Sequence, residues 1–126
     1  MKIIRTLNVA PTAPAEARRS RVPLDPVVPS DRLEDLCIMV SELVTNSVMH
    51  SGLKRGDSIS LMVKVLPERV RVEVADRGRR FLDATKRRRK HHGRGLVIID
   101  RLADRWGTER GSQTKVWAEI PLRSTA

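Results

Sequence analysis

The chain has 126 residues, a formal net charge of +10 at neutral pH, one Cys, one Phe, two Trp and no Tyr. That length points to one domain spanning 1–126, with an aliphatic core of Val, Leu, Ile and Met. The lone Cys37 excludes an internal disulfide and suits a reducing cytoplasm. No run of about 18 apolar residues is present, so no membrane span is expected, and Met1-Lys2-Ile3-Ile4-Arg5 is too charged to open a signal peptide.

In chain order, Ile3 to Val9 reads as a first strand, ended by Pro11 and Pro14. Pro14 to Arg19 can start a short helix with Pro in its first turn. Pro23, Pro26 and Pro29 are expected to forbid regular structure. Leu33 to His50 then has a helical period. At about 100° per residue, Leu33, Leu36, Cys37, Val40, Leu43, Val44 and Val48 share one arc. Ser30 or Asp31 can cap this helix, with Glu34 placed for a capping box, and Ser51-Gly52 is a natural stop.

Ser58 to Leu66 alternates as a strand, with Ile59, Leu61, Val63 and Val65 on one face. Pro67-Glu68 turns the chain, and Val70, Val72 and Val74 repeat the alternation. Arg69, Arg71 and Glu73 fall on the other face, which predicts a sheet with one wet side. Phe81 to His92 has no period and reads as a loop. Arg94 to Trp106 is expected to form an amphipathic helix ended by Gly107, and Val116, Ala118 and Ile120 mark a last strand. Strands with helices on one face predict an α+β two-layer sandwich, its sheet mixed but mostly antiparallel.

The charge is local. Residues 77–94 hold nine of the 25 Lys and Arg and a single acid, Asp83, so this loop carries +8 of the chain's +10. That pattern argues for a local anionic partner instead of a generally basic surface.

Three segments combine into a site. Glu42 and Asn46 stand four residues apart, on one helix edge outside the apolar arc. A strand running to Asp76 is followed by Arg77-Gly78. Gly93-Arg94-Gly95-Leu96 opens the next helical run, where glycines let backbone approach a phosphate and helix-opening N–H groups point at it. An acid and an amide on one helix, a strand-end Asp before Gly, and a Gly-x-Gly helix start form a nucleotide-binding constellation.

Ser41-Glu42-Leu43-Val44-Thr45-Asn46-Ser47-Val48-Met49-His50 matches the N box of the GHKL (Bergerat-fold, histidine-kinase-like) ATPases. Asp76-Arg77-Gly78-Arg79-Arg80-Phe81 is similar to their first glycine box. Gly93-Arg94-Gly95-Leu96 through Trp106-Gly107 matches the second, and Val116 to Pro121 looks like the final strand. Within that superfamily the chain resembles the small bacterial anti-sigma-factor serine/threonine kinases, over nearly its whole length.

The resemblance implies a Bergerat fold that binds ATP and Mg²⁺. Asn46 would be the metal ligand and Glu42 the general base taking a proton from the attacking hydroxyl. Asp76 would accept from the adenine amino group, and Gly78, Gly93, Arg94, Gly95, Leu96 and Thr114 would line the nucleotide, with 77–94 as its lid. The implied partners are ATP, an anti-sigma-factor antagonist protein that is phosphorylated, a sigma factor, and a second copy in a homodimer. Three departures stand out: the lid is unusually basic, Arg80 replaces the second glycine of the first box, and Lys115 precedes Val116-Trp117 where the family favours Thr, with Thr114 one residue earlier. A one-residue shift reverses a strand side chain. Arg80 and Lys115 leave open a catalytically weak nucleotide-binding interaction module. A nucleic-acid binder using Lys86 to Lys90 is disfavoured, since no aromatic accompanies that run for base stacking.

Overall fold

The computed structural model describes residues 1–50, 54, 56–76 and 94–123. Five strands form one sheet: β1 (Lys2–Asn8), β2 (Ser58–Val65), β3 (Arg69–Asp76), β4 (Arg105–Arg110) and β5 (Thr114–Pro121). Their order is β1-β2-β3-β5-β4, and every pairing among the described strands is antiparallel. The helices are α1 (Ala13–Arg18), α2 (Arg21–Leu24), α3 (Ser30–His50) and α4 (Arg94–Leu102). The helices cover one face of the sheet, with α3 between α1 and α4, as the α+β two-layer sandwich requires.

The alternation of the strands explains the layering. Ile59, Leu61 and Val63 of β2, and Val70, Val72 and Val74 of β3, are buried toward the helices. Ala118 and Ile120 of β5 join them, with Val116 packed at the margin. On α3 the buried stripe is Leu33, Leu36, Met39, Val40, Leu43 and Val44; Cys37 and Val48 pack against it partly buried. Met39 belongs to the core although the apolar arc had not included it. No helix among the described residues is long and apolar enough to cross a membrane.

Three expectations are corrected. Proline does not exclude regular structure before α3: one helical turn, α2, contains Pro23. Its missing N–H falls in the first turn, where amide groups have no intrahelical partner. α3 begins at Ser30, so Ser30 and Asp31 lie within the helix and neither is its cap.

The third correction is the largest. Trp106 and Gly107 belong to a strand and do not end a helix. α4 closes at Leu102, with the Ala103 amide donating to Ile99 O at 2.8 Å. The Asp104 amide then donates to Glu119 O at 2.8 Å, and β4 starts. Trp106 suits both periods: it lies seven residues from Ile99, and as a strand residue it pairs with Ala118 on the buried side. Its indole Nε1–H donates to Asp100 at 2.9 Å, tying β4 back to α4.

Gly107 has a packing reason to be glycine. A Cβ there would lie 3.0 Å from the Trp117 ring, whose indole rests on the bare backbone. The other expected boundaries within the described residues hold within a residue or two, while the Ser51-Gly52 stop and the Phe81 to His92 loop lie outside them; the Pro67-Glu68 turn closes with Leu66 N–H donating to Arg69 O at 2.8 Å.

Candidate nucleotide site

Three apolar stripes end in polar residues at one end of the sheet. The buried run of β3, Val70-Val72-Val74, ends at Asp76. The matching run of β5, read backwards from Ile120 through Ala118 and Val116, ends at Thr114. Strand register pairs Asp76 with Thr114 and with Ile59. Directly paired residues share a face, so Thr114 points to the helix side together with Asp76. Above them the buried stripe of α3 passes Leu43 and Val44 and reaches Ser47, one turn on.

Ser47 and Asp76 meet. The Ser47 hydroxyl donates to Asp76 Oδ2 at 2.5 Å, and the two residues are only 5% and 4% exposed. They are two of the four buried polar or charged residues among those described. Burying a carboxylate is costly unless it is hydrogen-bonded. A carboxylate placed where three apolar stripes stop is therefore a built feature of the site.

Glu42 and Asn46 lie half-buried on the flank of α3, beside the Leu43–Ser47 stripe. Arg18 of α1 reaches the same edge, where its Nη1–H donates to the Ser41 hydroxyl at 3.0 Å. Arg94 and Gly95 form the first turn of α4, and Leu96 is half-buried after them. Gly78, Gly93, Arg80 and nearly all of the basic 77–94 loop lie outside the described residues.

The register puts Lys115 and Thr114 on different faces. The Lys115 side chain takes the opposite face, where its ammonium sits 3.2 Å from Glu73. Thr114 pairs with Asp76 in an unbroken ladder. Sequence reasoning missed Ser47, although a signal existed: it lies four residues after Leu43 and three after Val44, a polar residue in an apolar arc.

Chemically, this end of the fold offers a buried acceptor for an N–H group, two hydroxyls near it, and an acid and an amide along one helix edge. Among the described residues no cluster of three or more His, Cys, Asp or Glu side chains is set to hold a metal ion. That donor set suits Mg²⁺ in one way, since Mg²⁺ is commonly held by one or two protein oxygens with phosphate oxygens and water completing the octahedron.

The histidine kinase-like ATPase domain family matches residues 10–120. The chain belongs to that family. Among solved structures it is similar to the RsbU and RsbW domains of Rv1364c from Mycobacterium tuberculosis. The TM-score is 0.71 at 19% identity, over 94% of this chain and 32% of that one. The likeness is one of fold, and this chain spans about a third of the length of that protein. No curated protein matches.

The opposite face of the sheet carries a different chemistry. Glu119, 5% exposed, accepts from Arg105 at 2.6 Å, Arg71 at 2.9 Å and Arg69 at 3.4 Å. Arg69 also donates to Asp104 at 2.8 Å. Arg71 donates to Glu73 at 2.7 Å and stacks its guanidinium 4.3 Å from the Trp117 ring centroid. Burial pushes both glutamates up, but hydrogen bonds overcome it: Arg71 and Arg105 hold Glu119 below the ordinary carboxylate range, and Arg71 and Lys115 do the same for Glu73.

Proposed function

We propose that this ATPase-family domain is an anti-sigma-type serine/threonine protein kinase. It binds ATP with Mg²⁺, transfers the terminal phosphoryl group to a hydroxyl of a small antagonist protein, and regulates a sigma factor. The observation that carries the reading is the convergence of Asp76, Ser47 and Thr114 beneath the helix edge bearing Glu42 and Asn46.

In this reading Asp76 accepts a hydrogen bond from the adenine amino group, with the Thr114 hydroxyl beside it. Asn46 supplies its side-chain carbonyl to Mg²⁺, which neutralises charge on the phosphates when bound. Glu42, one turn before Asn46, takes the proton from the incoming serine or threonine hydroxyl. Gly78, Gly93, Arg94, Gly95 and Leu96 line the phosphates, and the basic loop forms the lid. A single domain over 1–126, a homodimer and a cytoplasmic location belong to the same proposal. The N box and the fold shared with the RsbW-containing structure support the ATP-binding part of this reading, and the resemblance to the small anti-sigma kinases supports the kinase part. The pairing of Thr114 with Asp76 supports this reading against a catalytically weak interaction module.

Calorimetry with ATP and Mg²⁺ tests the reading. Binding is expected, with a raised melting temperature, because a ligand selective for the folded state stabilises it by mass action. Asn46→Ala should abolish most of the Mg²⁺-dependent part. No heat of binding at millimolar ATP would overturn the proposal at its root.

A further inference from the structure

We propose that Asp100 and Trp106 are positioning residues for phosphate binding: the hydrogen bond between them sets the rotation of α4, and with it the aim of the backbone N–H groups that open this helix. The inference rests on the nucleotide reading given above, and deepens it by naming what holds the phosphate-facing helix in place.

α4 is short and its apolar anchors are few. Ile99 is buried, and Leu96 and Leu102 are half-buried beside it. Apolar contact is non-directional, so this stripe holds the helix against the core without fixing its rotation about its own axis. A hydrogen bond is directional. The Trp106 Nε1–H donates to Asp100 Oδ1 at 2.9 Å. Asp100 follows Ile99 in the chain and so lies about 100° round the helix from it, off the buried stripe. Trp106 is itself held, since it pairs with Ala118 and packs against the core. Between the two, the Asp104 amide donates to Glu119 O at 2.8 Å and ties the connecting chain to β5. The sheet thus grips the last turn of α4, and a rigid helix carries any rotation there to its first turn.

Asp100 is otherwise a poor choice at this place. A carboxylate in the last turn opposes the helix dipole, and Asp is a weaker helix former than Ala. It stands six residues after Arg94, about 9 Å along the axis at 1.5 Å per residue, where a negative charge can only repel phosphate. Every local effect therefore predicts that removing Asp100 leaves the helix and its ligand binding unchanged or improved. A positioning role predicts the opposite sign.

Calorimetry of ATP and of adenosine, each with Mg²⁺, on wild type, Asp100→Ala, Asp100→Asn and Trp106→Phe is the test. Asp100→Ala should weaken ATP binding by roughly fivefold or more, the lower end of ordinary coupling between sites. Adenosine carries no phosphate, and its binding should not change. Asp100→Asn keeps an oxygen acceptor without the charge and should bind ATP nearly as wild type does. Trp106→Phe lacks the N–H and should lose ATP affinity as Asp100→Ala does; combining the two should add little, because both act through one bond. The Asp100 variants alter an exposed side chain, so the test stands even where Trp106→Phe fails to fold. ATP binding by Asp100→Ala as tight as wild type or tighter would overturn this inference, and so would equal proportional losses for ATP and adenosine. Either result leaves ATP binding by the wild type standing. A wild type that binds neither ligand would overturn both.

Discussion

The two faces of the sheet treat buried charge in opposite ways. On the helix side, Asp76 is held by the hydroxyl of Ser47 at the point where the apolar stripes stop. On the open side, Glu119 is surrounded by three arginines, and Glu73 by an arginine and a lysine. A carboxylate already saturated by cations has little left to offer a ligand. Asp76 accepts from a neutral hydroxyl, that of Ser47. Carboxylates on the two faces thus have different partners, arginines and a lysine on the open face and a helix hydroxyl on the other.

The largest effect expected concerns the chemistry on the helix side. Glu42→Gln should leave ATP binding intact and lower phosphotransfer to a cognate antagonist by roughly 10²- to 10⁴-fold, the scale of a general base. The amide is close in shape but cannot take the proton. Unchanged transfer would remove Glu42 from that role and weaken the contrast between the faces.

Packing beneath the site comes next. Leu43 is fully buried in the stripe that leads to Ser47. Leu43→Ala should cost about 2–5 kcal/mol of stability by chemical denaturation, because the cavity collapses only partly. A loss below about 1 kcal/mol would mean that α3 is not anchored to the sheet through this stripe.

The open face is tested by pH. Glu73 and Glu119 both have folded-state pKa values below their ordinary value of 4.5. Their contribution to stability is therefore full above that value and is lost as pH falls through the depressed folded values. Glu119→Gln should cost on the order of 1–3 kcal/mol at neutral pH, since it breaks charge-assisted hydrogen bonds. Wild type and variant should converge in acid, as the wild-type carboxylate is protonated. Urea titrations from pH 7 down to about 3 read this directly, and parallel curves throughout would show that the cluster adds nothing net.

The smallest effect sharpens the same face. Gly107→Ala places a methyl 3.0 Å from the Trp117 ring, so the indole must shift by a few tenths of an ångström. About 1 kcal/mol or less is expected, because alanine also restricts the unfolded chain. Trp fluorescence should change, and Arg71→Ala, which removes the cation stacked on the other part of this assembly, should alter it too. A spectrum identical to wild type in Gly107→Ala would show that Trp117 does not rest there.

Particular residues show why parts of this molecule were legible early. The apolar arc of α3 and the alternation of β2, β3 and β5 predicted which side chains are buried, because period and burial share one geometry. Glu42 and Asn46 were legible as one helix edge for the same reason. β4 was not. Trp106 satisfies the helical period from Ile99 and the strand period equally, and only the hydrogen bond from Asp104 to Glu119 O decides for the strand.

Sequence by itself determined the order of the elements other than α2 and β4, the inward faces of the main strands and of α3, the concentration of charge in 77–94, and the N-box residues that place the chain among the histidine kinase-like ATPases. Each of these depends on residues close in the chain. Tertiary structure alone decided that Thr114, not Lys115, stands beside Asp76, that Ser47 holds Asp76, and that Glu119 gathers Arg69, Arg71 and Arg105. Strand register sets those pairings. A shift of one residue in β5 would exchange Thr114 for Lys115 at the site, and no local pattern distinguishes the two.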